Sequence, residues 1–267
     1  VYATHGLGPI AQVLYIHRGD RMRTLIAMDT HSFNGKKQVE KFTGQPCDTF
    51  RNCDQTTTLI RTEQGKMMEI IHNVMTPQPY NRMYQLTGTK GFANKYPVEG
   101  YAVSAKDMKE AGVTPSNDDL SGHEYLKETD MKALVERYTR PIVKKYGDEA
   151  KEVGGHGGMD FIMDSRLVYC LQNGLPLDMD VYDLAEWCCL AELGSISMDN
   201  GFMPVEVPDF TRGHWNEVKG YKHAYASPED EAKTLAEAKA FTAQLKAKGA
   251  KYWAAADKKV GKKKAKQ

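Results

Sequence analysis

Two segments rich in β-branched and apolar residues, Thr56 to Arg61 and Met67 to Met75, are separated by little more than Glu63-Gln64-Gly65-Lys66, a short polar link with the glycine a hairpin wants. A link this short joins only antiparallel neighbours, because a parallel pair needs a crossover of about a dozen residues or more. Thr24 to Asp29 and Arg82 to Thr87 have the same strand-like character. The later part of the chain changes period. Residues 104 to 128 are polar without a sustained repeat. Thr129 or Asp130 then caps a run through Leu134, Val135, Tyr138 and Val143 toward Lys145, with a kink expected at Pro141. Met159, Met163, Leu167 and Cys170 mark one helical stripe ended by Gly174, and Asp180 caps another of Val181, Leu184, Cys188 and Ala191. A β-rich half followed by a helical half predicts an α+β fold, an open and mainly antiparallel sheet with helices on one face.

Charge argues against two classes of partner for the chain as a whole, the lysine-rich stretch Lys258 to Lys266 being the local exception. Lys and Arg number 36 against 35 Asp and Glu, so the net charge of +1 gives no field for nucleic acid or an anionic membrane to read across the whole chain. No apolar run approaches the ~18 residues that a membrane span needs. The five cysteines, Cys47, Cys53, Cys170, Cys188 and Cys189, fall into neither a CxxC pair nor a zinc spacing, and packing roles and no metal are expected. Ser227-Pro228-Glu229-Asp230 reads as a helix start. The expected organisation is a domain over 1–225, a C-terminal helix over 226–257 and a disordered basic tail over 258–267.

Candidate chemistry concentrates in Tyr2-Ala3-Thr4-His5-Gly6-Leu7-Gly8-Pro9, which places a phenol, a hydroxyl and an imidazole before a glycine-rich stretch. An imidazole works as acid or base near neutral pH, and neighbouring hydroxyls can orient a polyol. The glycines predict a turn, with a helix opening at Pro9 through Ile10, Val13, Leu14 and His17 and stopping at Gly19. The loop Gly154-Gly155-His156-Gly157-Gly158 is a second candidate, setting His156 and Asp160 at a helix N-terminus. Tyr84 stands on the strand Arg82 to Thr87. Asp178 and Asp180 read as helix caps and are assigned no catalysis. The loop Gly154 to Asp160 has neither the GxGxxG nor the GxxxxGK[ST] pattern that would cradle a nucleotide.

Together with His17-Arg18-Gly19-Asp20, Thr87-Gly88-Thr89-Lys90-Gly91, Gly155-His156-Gly157-Gly158-Met159-Asp160 and Gly174-Leu175-Pro176-Leu177-Asp178-Met179-Asp180-Val181-Tyr182-Asp183, the N-terminal segment resembles the glycoside hydrolase family 109 enzymes, in the same order and over roughly residues 1 to 215. That family is similar to the glucose-fructose oxidoreductase and inositol dehydrogenase superfamily, which joins an N-terminal NAD-binding Rossmann domain to a C-terminal α/β domain with an open antiparallel sheet. The resemblance implies that this sequence is the C-terminal portion of a longer protein, lacks the Rossmann domain and is inactive by itself. For the whole enzyme it implies hydrolysis of terminal α-N-acetylgalactosaminides with a tightly bound NAD. The sugar is oxidised at C3, which acidifies the C2 proton; the aglycone is eliminated, water adds at C1, and the ketone is reduced again. It further implies that Tyr2, Ala3, Thr4 and His5 line the sugar pocket, that Tyr2 reaches the nicotinamide, that Tyr84 contacts substrate, with His156 a further binding residue, and that copies associate through the sheet. Export to the periplasm fits the family. Where the family usually has proline this chain has Ala3. Two other readings of the same residues are a sugar or polyol dehydrogenase with net hydride transfer, and a non-catalytic carbohydrate-binding or scaffold module.

Overall fold

The computed structural model describes residues 3–219 and 231–264; Tyr2 and the expected helix start at Ser227-Pro228-Glu229-Asp230 lie outside the described residues. In chain order the elements are α1 (Ala3–Val13), β1 (Met22–Asp29), α2 (Gly35–Thr43), β2 (Gln55–Thr62), β3 (Met67–Asn73), β4 (Gln85–Thr87), β5 (Gly91–Asn94), β6 (Gly100–Val103), α3 (Ala105–Glu110), α4 (Glu128–Tyr138), α5 (Pro141–Val153), α6 (Met159–Asn173), α7 (Val181–Asp199), β7 (Val205–Glu206) and α8 (Glu231–Lys264). They build an α+β fold in two compact units, one reaching Thr139 and resuming over Tyr182–Val218, the other comprising Arg140–Val181 and the C-terminal helix. This partition does not fall at residue 225.

The hairpin forms as expected. β2 and β3 pair antiparallel with Ile60 opposite Met68 and Thr58 opposite Ile70, and β1 adds on the other side with Leu25 opposite Ile60. The four-stranded sheet has the order β3-β2-β1-β7. Because side chains alternate along a strand, Leu25, Ala27, Ile60, Met68 and Ile70 are buried on one face, while Met28, Leu59, Met67 and Ile71 are exposed. Leu7 and Ala11 of α1 and Leu190 of α7 close the buried face into one core. At ~25 cal/mol per Å² of apolar surface, each such fully buried aliphatic side chain stabilises the fold by about 1.5–3 kcal/mol.

Several local signals resolve differently from the sequence reading. Pro141 opens α5 instead of kinking a longer helix, because its missing N–H costs nothing in a first turn. α4 begins at Glu128, ahead of the expected caps, and the Asp130 carboxylate is spent on Ser116, accepting from its backbone N–H at 2.9 Å and its hydroxyl at 2.6 Å. Within the polar stretch 104 to 128, Ser104 caps the short α3 through the Asp107 N–H. β4, β5 and β6 form a second antiparallel sheet of short strands. Tyr84 lies just before β4, which starts at Gln85.

On α7 the expected stripe is the wrong face. Val181, Leu184 and Cys188 are exposed, while Asp183, Glu186, Leu190, Gly194 and Ser197 are buried. The small Gly194 and Ser197 let the helix lie close to β1, where the Ala27 N–H donates to the Ser197 hydroxyl at 3.1 Å. In the second unit Cys170, Leu175 and Ala238 form a core with Tyr169 and Leu235, but the rest of the expected α6 stripe, Met159, Met163 and Leu167, is exposed. α8 continues to Lys264, through much of the stretch expected to be a disordered tail. All five thiols are free.

Candidate functional site

The helix α1 starts before the glycines, not after them. A Cβ on Gly6 would sit 3.2 Å from the Ile70 side chain of β3, and one on Gly8 would sit 3.3 Å from the Trp187 indole of α7. The glycines therefore permit close packing of the helix, which explains why two poor helix formers stand inside it. Pro9 is consequently interior. It cannot supply the N–H that the carbonyl four residues earlier would accept, and that carbonyl belongs to His5. The Tyr84 hydroxyl donates to the His5 carbonyl instead. Burial pushes the Tyr84 phenol above its usual range, which keeps the hydroxyl protonated and able to donate at neutral pH.

Tyr84 thus reaches the N-terminal turn of α1, which carries Thr4 and His5 and where backbone N–H groups and the helix dipole favour hydroxyl or anionic ligand groups. The His5 side chain is exposed, as an acid or base that meets a ligand must be. The sequence reading missed His72, which follows Met68 and Ile70 at a spacing of two and shares their face of β3. Its burial lowers the imidazole below its ordinary value. That alternation was the signal available for it. Tyr2 lies outside the described residues, and Ala3 is the first residue of α1.

His156 belongs to the second unit. Gly158, behind it, has φ of 97° and leaves no room for a side chain, since a Cβ would lie 2.7 Å from the Ala150 carbonyl carbon. The exposed His156 ring meets Asp160 with Nδ1 2.9 Å from Oδ2. Asp178, expected as a cap, forms a two-pronged pair with Arg166 at 2.8 and 2.9 Å. Burial pushes the Cys189 thiol up to about 12, so it is no nucleophile at neutral pH. A surface groove lined by Glu99, Tyr101, Glu128, Met131 and Val135 contains none of the candidate residues.

A second cluster was not anticipated. His17 and Arg18 follow α1, and both are buried against the inward face of α7. The Arg18 guanidinium donates to both oxygens of Asp183 at 3.0 and 2.8 Å, and His17 Nδ1 lies 2.7 Å from Glu186 Oε2. His17, Asp183 and Glu186 are spaced closely enough to consider a metal. The chemistry fits an ion-pair clasp better. Asp183 already accepts from the Arg18 guanidinium through both oxygens, so a divalent cation here would sit beside that charge.

The four-stranded antiparallel sheet with α1 and α7 packed on one face makes this part of the chain an α+β domain. The model of the glycosyl hydrolase 109 C-terminal domain matches residues 1–217, and the chain belongs to that family. It is 71% identical to glycosyl hydrolase family 109 protein 5 of Phocaeicola vulgatus, over 97% of this chain and 50% of that protein. It is 72% identical to protein 4 of the same species, over 95% of this chain and 49% of that protein. Protein 1 of Bacteroides thetaiotaomicron is 61% identical over 85% of this chain and 48% of its own length. The chain spans about half the length of the curated relatives it matches. Among the described residues no helix is long and apolar enough to cross a membrane.

Proposed function

We propose that this chain is the sugar-binding half of an NAD-dependent glycosidase acting on terminal α-N-acetylgalactosaminides. The observation that carries the reading is the bond from the Tyr84 hydroxyl to the His5 carbonyl in the helix turn that also carries Thr4, in a chain of this family. His5 moves a proton to or from the bound sugar, and Tyr84, by holding the His5 carbonyl, fixes the turn from which the imidazole projects. His156 is a further contact to substrate in this reading.

The described residues do not fit the phosphates of a dinucleotide. Both sheets are antiparallel, and no strand leads through a GxGxxG turn into a helix. In the proposal NAD is held mainly by the half of the relatives that this chain does not span, with Tyr2 as this chain's contribution. When bound it would supply reversible hydride transfer at the sugar. The test uses a full-length protein carrying both halves, an aryl α-N-acetylgalactosaminide and heavy water. Removal of the C2 proton during the cycle predicts deuterium at C2 of the released sugar with no net accumulation of NADH. Release without deuterium would sink this mechanism, and stoichiometric NADH without release would make the protein a dehydrogenase.

The exposed face of the four-stranded sheet supports association between copies. Ile26 sits opposite Leu59, and Met28 and Ile71 flank Thr57 across the strands. Leu59 and Ile71 are 42% and 50% exposed on an otherwise ordered sheet. Leu59→Glu is expected to shift the protein to monomer in light scattering after size-exclusion chromatography. A wild type that is already monomeric at micromolar concentration removes the proposal.

A further inference from the structure

The antiparallel register of the second sheet brings a set of aromatic residues to the same end as the His5 site. Gln85 pairs with Asn94, and the Lys95 N–H donates to the Tyr84 carbonyl at 3.1 Å, so the chain leaving β5 passes Tyr84 and reaches Tyr96 at the next residue. Tyr80 returns to this end from the segment between β3 and β4. Its ring meets Tyr96 edge to face, with centroids 6.4 Å apart and planes at 83°. The Arg82 guanidinium carbon lies 5.7 Å from the Tyr80 ring centroid. Tyr80 nevertheless remains 70% exposed. Tyr80, Arg82 and Tyr84 follow one another at a spacing of two on the segment leading into β4, and the Tyr84 hydroxyl holds the His5 carbonyl.

A single exposed tyrosine needs no explanation. Here the ring is held by an edge contact and a cation while staying open to solvent, and its neighbour Tyr84 touches the turn that carries His5. That combination matches a pyranose, whose axial C–H face packs on an aromatic ring and whose hydroxyl rim accepts from a guanidinium with its five N–H donors.

We propose that Tyr80, Tyr96 and Arg82 form a shelf for a second sugar ring, the glycosyl residue to which the terminal N-acetylgalactosamine is attached. The inference rests on the proposal that His5 and Tyr84 hold the terminal sugar; since that sugar ends the chain, any further ring lies on the leaving-group side. The shelf makes an α-linked N-acetylgalactosaminyl saccharide the preferred substrate over a simple glycoside.

The test compares two ligands on the 267-residue chain by saturation-transfer NMR: methyl α-N-acetylgalactosaminide, and a disaccharide with α-linked N-acetylgalactosamine at its non-reducing end. Saturation of aromatic protons is expected to reach both rings of the disaccharide, which should bind about 3- to 10-fold more tightly than the methyl glycoside, the range of one aromatic stacking contact. Tyr80→Ala should abolish that ratio, with the thermal midpoint reporting that the variant is folded. If the methyl glycoside binds but the disaccharide gains nothing, or gains equally in Tyr80→Ala, the shelf is wrong while the sugar site stands. If neither ligand receives saturation, the sugar-site reading fails and the shelf with it.

Discussion

Replacing Arg18 by Met is expected to cost the fold about 3–5 kcal/mol, a drop of the thermal midpoint on the order of 10 °C for a unit of this size. Asp183 is 2% exposed and Arg18 6% exposed, and both carboxylate oxygens accept from the guanidinium. Removing the cation leaves the Asp183 charge without its two-pronged partner in a place water does not reach, beside the second carboxylate of Glu186. The cost is that of a buried carboxylate left with less compensation, His17 Nε2 being 3.9 Å away, so the pair removed together behaves differently. Arg18→Met combined with Asp183→Leu should recover most of the stability, because similar volumes of apolar side chain fill the site without a desolvated charge. Denaturant unfolding of the two single variants and the double variant measures this. A single-variant loss below about 1 kcal/mol, or a double variant no more stable than the singles, would mean that the clasp does not tie the segment after α1 to α7.

How much of this was legible in the sequence depends on whether the signal was local. The β2–β3 hairpin was readable because four residues of link and a period of two are local facts. α1 was misplaced because glycine and proline were read through local rules, as turn and first-turn residues. The roles of Gly6 and Gly8 are set by the Ile70 and Trp187 side chains, which are distant in sequence. The same holds for α7, where Asp183 and Glu186 look like the solvent face until partners more than 160 residues away are brought beside them. β4, β5 and β6, of three or four residues each, are too short to show a period. At the candidate site, His5 and Tyr84 were both singled out, but nothing in their spacing revealed that one hydroxyl closes on the other's carbonyl. That link follows from Pro9, whose effect on His5 is readable only once Pro9 is known to be inside a helix.

In the full-length enzyme, His5→Ala is expected to lower kcat/KM by 10²- to 10⁴-fold, roughly 3 to 5 kcal/mol on the barrier, while leaving the fold nearly intact. The two effects separate because of where His5 makes its structural bond. The acceptor for the Tyr84 hydroxyl is the His5 backbone carbonyl, which alanine keeps. The exposed imidazole contributes to folding no more than one ordinary hydrogen bond, about 0.5–1.5 kcal/mol, and alanine is the better helix former in the first turn of α1. Tyr84→Phe reverses the pattern on the structural side: it keeps the ring and strips the hydroxyl from a carbonyl that Pro9 cannot serve, so the first turn loosens and the imidazole loses its fixed origin. Measuring kcat/KM and the thermal midpoint on both variants places each residue. Near-normal turnover in a destabilised His5→Ala protein would make His5 a structural residue and leave this domain a carbohydrate-binding scaffold, whereas a stable, inactive His5→Ala protein assigns the proton transfer to the imidazole.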